Sequence, residues 1–82
     1  MLKNKLKRLV RSLEKRIQED CYRYEMYLHE TNSNHTVLTL FPIEETTNDD
    51  VTGMYNYVFG YCEAIDLQYE DISCKNILRF QF

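Results

Sequence analysis

Three side chains in the first half of the sequence carry atoms that bind transition metals: Cys21, His29 and His35. Thiolate and imidazole groups are the usual ligands of zinc, but the spacing of these three residues matches none of the common zinc patterns. We therefore interpret the histidines as solvent-facing side chains and the cysteine as a packed one. The sequence predicts neither a metal site nor a bound cofactor.

A second candidate for chemistry is Cys62, which is followed directly by Glu63. A cysteine nucleophile needs a base such as histidine and a lowered thiol pKa. No histidine lies near Cys62 in the sequence, and the cysteine falls within an apolar stripe, so a buried and inert thiol is the better interpretation. The sequence also lacks phosphate-binding glycine loops and hydrolase motifs. We expect a protein that is not an enzyme.

Basic residues are concentrated at the start of the chain, although its 82 residues carry a net charge of −3. Side chains that could contact phosphate groups follow one another at roughly helical spacing: Lys7, Arg8, Arg11 and Lys15. Acidic residues dominate the rest of the sequence, and no base-reading motif is present. Nucleic-acid binding through this basic stretch is therefore the alternative function and not the favoured one.

Seven tyrosines and no tryptophan give the sequence a high content of aromatic side chains that carry a hydroxyl group. Tyr57 and Tyr69 fall outside the main apolar stripes. Three acids lie close to them in sequence: Glu63, Asp66 and Glu70. Tyrosine is enriched at interface hot spots, and the acids favour a partner with a basic surface. The competing interpretation places the tyrosines at the margin of a small core.

From these residues we predict a protein-interaction module that docks on a larger protein through a tyrosine-rich acidic surface. Such a chain would act as a small accessory or inhibitory factor. A protein that handles nucleic acid is one partner with the required basic surface, because its nucleic-acid channel attracts negative charge. The accessory or inhibitory role follows from an analogy with small factors of similar size and charge, and it depends on no sequence motif.

The elements that must position these residues begin with a long amphipathic helix. Apolar residues recur every three or four positions, and no glycine or proline interrupts them, which predicts one helix over residues 2–29. At about 1.5 Å per residue this helix would be roughly 42 Å long, more than the roughly 30 Å diameter of a compact chain of this size. Three leucines at its start would extend beyond the domain: Leu2, Leu6 and Leu9. Either the helix breaks, or these leucines pack on a partner, and of the two we expect the interface of a homo-oligomer, such as a dimer.

The remaining sequence predicts a strand over residues 36–41, a helix capped by Thr47 or Asn48, and a final strand over residues 77–82. Two strands make a minimal sheet whose open edges invite pairing with another chain. We expect one α+β domain over the whole chain, with the element order α-β-α-β. Its apolar runs are far shorter than the roughly 20 residues of a membrane span. With three cysteines and no secretory signal, we expect a cytoplasmic chain without disulfides.

Overall fold

The computed structural model describes residues 3–19, 24–43 and 46–82. The elements follow in this order: α1 (Asn4–Glu19), β1 (Tyr24–Glu30), β2 (Thr36–Pro42), α2 (Asn48–Ala64), β3 (Glu70–Asp71) and β4 (Leu78–Gln81). The strands form one antiparallel sheet in the order β1-β2-β4-β3. The α+β class is confirmed, but the described residues form four strands where the sequence predicted two.

The predicted helix over residues 2–29 is confirmed over residues 4–19 and is wrong from residue 24 onward, because β1 occupies residues 24–30. Tyr24 and Leu28 fit both patterns, since they continue the helical stripe and, with Met26 between them, also follow the alternation of a strand. β1 pairs with β2 along its full length. Pairing with this apolar, β-branched neighbour satisfies the backbone groups and selects the strand.

The shorter first helix changes the position of the leucines predicted to bind a second chain. α1 has 16 residues and is about 24 Å long, which is within the 34 Å long axis of the molecule. Leu6 and Leu9 are 2% and 0% exposed and belong to the core. Because Leu6 and Leu9 are buried in the core, the prediction that they form an interface with a second chain is wrong. Leu2 lies outside the described residues. Self-association itself stays a prediction.

The core lies between the two helices and one face of the sheet. Fully buried side chains from every layer meet there: Leu9 and Leu13 of α1, Met54 and Val58 of α2, Leu38 and Leu40 of β2, and Phe80 of β4. Side chains of successive strand residues point to opposite faces. The strand residues that alternate with these core residues, such as Thr39 and Arg79, therefore form a second face, which neither α1 nor α2 covers.

Thr39, at the centre of β2, lies on this second face and is nevertheless only 2% exposed. Arg79 crosses the face from β4, and its Nε donates to Thr39 Oγ1 at 3.2 Å. On the other side of β2, the rings of Tyr27 and Phe41 meet edge to face with centroids 5.6 Å apart. β2 is thus buried on both faces, as its uncharged sequence predicts.

α2 begins where the sequence predicted, with Thr47 as its N-cap. Thr47 Oγ1 accepts a hydrogen bond from the Asp50 N–H, and Asp50 Oδ2 accepts one from the Thr47 N–H, both at 3.1 Å. This reciprocal capping box satisfies two backbone donors, one of them in the first turn of the helix. It fixes the start of the element whose other end carries most of the candidate site.

Candidate protein-docking surface

The five residues predicted to bind a partner do not share one surface. Glu63, Asp66 and Tyr69 line one cleft of about 270 Å³ at the C-terminal end of α2. Tyr57 lies on the side of α2 that faces α1, and Glu70 lies in the edge strand β3. The structure therefore brings together three of the five predicted residues.

We call this cleft the acidic cleft. Its rim consists of Phe59, Glu63, Asp66, Gln68 and Tyr69, and its floor consists of the buried residues Cys62 and Leu67. Burial raises the pKa of the Cys62 thiol to about 11, so at neutral pH the floor carries no charge. The cleft thus combines an apolar floor with a rim that contains two carboxylates.

The shape of the acidic cleft depends on how α2 ends. The Leu67 N–H donates to the Cys62 carbonyl at 2.8 Å, and the Asp66 N–H donates to the Glu63 carbonyl at 3.3 Å, which is the Schellman pattern. Asp66 has a φ of 56°, a left-handed conformation that glycine usually occupies and that costs other residues roughly 1–2 kcal/mol. The motif turns the chain back, buries Leu67 and leaves the Asp66 side chain on the rim.

The negative electrostatic potential of the acidic cleft comes from the end of α2 as well as from the acidic side chains. The C-terminal end of a helix carries a partial negative charge from its free carbonyl groups. The last turn of α2 contains no basic residue to neutralise that charge and instead precedes Asp66. Lys5 of α1 donates from Nζ to the Asp66 carbonyl at 3.0 Å and offsets part of it.

Phe59 and Gln68 are the rim residues that the sequence analysis did not predict, and Phe59 is the apolar one. Its side chain is 47% exposed, although Phe is among the residues most often buried. Phe59 follows the buried Val58 directly and so points about 100° away from the apolar stripe of α2. A helical projection of the sequence would therefore have placed this ring outside the core.

Tyr69 is a rigid member of the rim. Its ring meets Phe80 edge to face at 5.5 Å between centroids and lies 6.2 Å from the ring of Phe82. Burial raises the pKa of Tyr69, and negative groups beside it, including the carboxylates of Asp71 and Glu63, raise it further. The hydroxyl is therefore protonated at neutral pH and can donate a hydrogen bond.

Tyr57 is engaged in the contact between the helices. Its hydroxyl is hydrogen-bonded to Ser12 Oγ. The guanidinium carbon of Arg16 lies 4.3 Å from the centroid of its ring, a cation–π contact. Tyr57 thus holds α1 against α2 and lies away from the acidic cleft.

The basic residues of the alternative function lie on the exposed side of α1. Arg8, Arg11 and Lys15 line a shallow groove of about 370 Å³ together with Tyr61 of α2. Lys7 is exposed but does not line this groove. We call the surface formed by Arg8, Arg11, Lys15 and Tyr61 the basic groove. The structure adds to the predicted charges an aromatic ring from the neighbouring helix.

Of the three residues whose metal-binding atoms were noted in the sequence, the structure describes only His29 and His35. Among residues 3–19, 24–43 and 46–82, no group of three potential ligands lies close enough to hold a metal ion. His29 lies in β1, His35 lies in the turn between β1 and β2, and Cys21 lies outside the described residues. Neither described helix is long and apolar enough to cross a membrane.

Comparison of the chain with protein-family models, with curated proteins and with solved structures gives no significant match. The fold and its surfaces therefore define the class of protein. The chain is a small α+β domain that packs two helices on one face of an antiparallel sheet. It presents an acidic cleft at the end of one helix and a basic groove along the other.

Proposed function

We propose that this chain is a non-enzymatic protein-interaction module that docks on a larger protein through the acidic cleft. The observation that carries the proposal is the exposed ring of Phe59 beside the carboxylates of Glu63 and Asp66. Burying a side chain of this size from water contributes about 1.5–3 kcal/mol. An aromatic anchor beside charged groups is typical of an interface hot spot.

The partner that fits the acidic cleft is a segment with an apolar side chain flanked by Lys or Arg. The apolar side chain would pack on Phe59 and on Leu67 in the floor, and the basic groups would meet Glu63 and Asp66. Complementary charges of this kind speed association and fix the orientation of the partner. The basic channel of a nucleic-acid enzyme presents such segments, so an accessory or inhibitory role in the cytoplasm forms part of the proposal.

Backbone conformation gives the proposal a second support. Asp66 occupies a left-handed position where glycine would relieve the strain. Strained residues persist where their side chain has a use, and they cluster at functional sites. An aspartate at this position keeps a carboxylate on the rim at a cost in stability.

A randomised peptide array tests the proposal, because it presents many combinations of basic, acidic and apolar side chains at once. The unmodified chain should select peptides in which Lys or Arg flank an apolar side chain. Phe59→Ala and the double variant Glu63→Lys, Asp66→Lys should lose this selection, the double variant most strongly at low salt. The matched control is Glu14→Lys, Glu19→Lys, which makes the same change of net charge at exposed positions of α1 and should keep the selection.

All these variants should remain folded by circular dichroism, because exposed charges contribute little to the free energy of unfolding and the ring of Phe59 is about half exposed. Retained selection by the folded double variant would show that the acidic rim is only solvated. Selection of acidic peptides by the unmodified chain would contradict the proposed chemistry of the partner.

A second candidate function is the binding of single-stranded nucleic acid in the basic groove. The observation that favours it is the position of Tyr61 beside Arg8, Arg11 and Lys15. Aromatic rings stack on bases while basic side chains neutralise phosphates, which is the usual combination in single-strand binding. The net charge of −3 opposes this function, because the whole molecule repels a polyanion.

Fluorescence anisotropy with a labelled single-stranded oligonucleotide tests this second function. Its affinity should fall with salt, with a log–log slope of roughly 0.7 per phosphate contact. The triple variant Arg8→Glu, Arg11→Glu, Lys15→Glu should abolish binding. We expect weak binding at low salt and none near physiological ionic strength. A tight complex under physiological conditions would make nucleic-acid binding the main function.

A further inference from the structure

β1 is an accessible edge of the sheet. It is seven residues long, and within the described part of the chain it pairs with β2 alone. Natural edge strands are commonly protected by proline, by charged side chains, especially lysine, or by being very short. β3, at the opposite edge, has only two residues, whereas β1 is long, contains neither proline nor lysine, and has Glu25 and Glu30 as its acidic residues. β1 therefore has room for a further strand beside it.

The hydrogen bonds of the sheet indicate which groups of β1 point outward. Thr36 and Phe82 exchange both backbone bonds, at 3.0 and 2.8 Å. Along an antiparallel strand, the backbone N–H and C=O groups of successive residues point alternately to the two neighbouring strands. Thr36 and every second residue of β2 after it therefore bond toward β4, and the residues between them bond toward β1. In the register of the two strands, Tyr27 is the inward-bonding residue at the centre of β1. The N–H and C=O groups of Met26 and Leu28 therefore point away from the sheet.

The side chains of β1 complement a second, antiparallel copy of the same strand. When Tyr27 lies on a two-fold axis, Glu25 of one copy is opposite His29 of the other, and Met26 is opposite Leu28. One face of the pair then places an acid against an imidazole, and the other places two apolar side chains in contact. Leu28 is 36% exposed in the single chain, and this pairing would cover it.

We propose that two copies of this chain associate through β1 into a two-fold symmetric dimer with one continuous sheet. In this register Met26 and Leu28 are hydrogen-bonded partners. Tyr27 faces its symmetry mate in a non-hydrogen-bonded pair, whose Cα atoms lie about 4.5 Å apart. Moving the two-fold axis by half a residue would place the outward backbone groups of one copy opposite residues of the other copy whose backbone groups point inward. Moving the axis by a whole residue would shorten the ladder and would no longer place Glu25 opposite His29.

Cysteine cross-linking tests this register directly. In a background with Cys21→Ser and Cys74→Ser, Tyr27→Cys should give a disulfide-linked dimer on mild oxidation, because the Cα separation suits a disulfide. Glu25→Cys is the matched control and should not form a disulfide-linked dimer, since the two copies of this residue lie roughly 13 Å apart along the ladder. A mixture of Glu25→Cys and His29→Cys chains should cross-link again.

Light scattering over a dilution series supplies the second measurement. The unmodified protein should have the mass of two chains at high concentration and of one chain on dilution. Leu28→Pro removes an outward N–H and leaves the inward bonds of β1 in place, so this variant should be folded by circular dichroism and have the mass of one chain. If Leu28→Pro fails to fold, the cross-linking comparison decides alone.

Any of three results would overturn the proposal. The first is a one-chain mass for the unmodified protein at high concentration. The second is equal cross-linking of the Tyr27→Cys and Glu25→Cys variants, which would indicate random collision. A folded Leu28→Pro variant that still forms dimers would place the interface elsewhere than β1.

Discussion

The acidic cleft and the basic groove are two charged surfaces of one small molecule, and they are built in different ways. The basic groove takes its three charges from one side of α1, so their proximity follows from helical spacing alone. The acidic cleft combines the last turns of α2, the Schellman turn and the residues before β3. Its groups converge only because the chain folds back over Leu67. The cleft therefore depends on the core, whereas the groove depends mainly on one helix.

The tyrosines of the two regions differ in the same way. The ring of Tyr69 packs edge to face against Phe80, and the half-buried Tyr69 also lines the cleft. The ring of Tyr57 is stacked against Arg16, and its hydroxyl is bonded to Ser12. A high tyrosine content therefore indicates interface formation only where packing leaves part of the side chain free.

The largest effect should come from Phe80→Ala. Phe80 is 0% exposed and supports both Tyr55 and Tyr69, so its truncation should lower the free energy of unfolding by about 3–5 kcal/mol. Arg11→Ala, at an exposed position of the basic groove, should change it by less than about 0.5 kcal/mol. Urea denaturation of both variants measures the difference. If Phe80→Ala and Arg11→Ala lowered the free energy of unfolding by similar amounts, the basic groove would depend on the core as much as the acidic cleft does.

A smaller effect of opposite sign is expected for Asp66→Gly. Glycine relieves the left-handed strain at this position, so the free energy of unfolding should rise by about 1 kcal/mol. The same variant removes a rim carboxylate and should weaken selection on the peptide array. Asp66→Asn is the control, since it removes the charge and keeps a side chain that tolerates the conformation. A gain in both stability and binding would show that Asp66 is not a docking residue.

Gly60→Ala should raise the free energy of unfolding by about 0.8 kcal/mol, which is slightly less than the gain expected for Asp66→Gly. Gly60 lies in α2 on an exposed side, and a Cβ atom added there would meet no atom within 4 Å. Because Gly60 does not line the acidic cleft, peptide selection should not change. Thermal melting and the array together measure both properties. Lost selection without lost stability would extend the docking surface along α2.

The smallest effect concerns acid stability near β3. Burial alone would raise the pKa of Asp71, but hydrogen bonds from Ser73 and Tyr55 hold it below its ordinary value of 3.8. The folded pKa is thus the lower one, so the carboxylate contributes stability that is present above the unfolded pKa and is lost as the pH falls through the folded pKa. Asp71→Asn should therefore show a weaker loss of melting temperature between about pH 5 and pH 2. Glu14→Gln, at an exposed position of α1, should leave the profile unchanged.

The second helix was predictable because its signals are local. Thr47 has an acid three residues later, and this pair forms the capping box that the structure shows. β1 was not predictable in the same way, because Tyr24 and Leu28 satisfy helical and strand periods at once. The pairing with β2 that decides between them is a contact between strands, and one segment read alone does not contain it.

The candidate site was predictable only in part for a related reason. Glu63, Asp66 and Tyr69 are close in sequence, and the end of α2 keeps them together. Tyr57 is only six residues before Glu63, yet it points toward α1. The exposure of Phe59 follows from its angle around the helix, which closeness in sequence does not reveal. Positions on a helix face therefore carry more information than distances along the chain.

The strand order also determines when the sheet can close as the protein is made. β2 lies between β1, which precedes it, and β4, which pairs Leu78 with Leu40 and is synthesised last of the four strands. The β1–β2 hairpin forms within microseconds, but at 5–20 residues per second the ribosome takes roughly 2–8 s to deliver β4. During that interval one edge of an uncharged, β-rich segment is open, which is the signature of an aggregation-prone strand. A chaperone that holds extended apolar segments on nascent chains would find its binding site at residues 36–41.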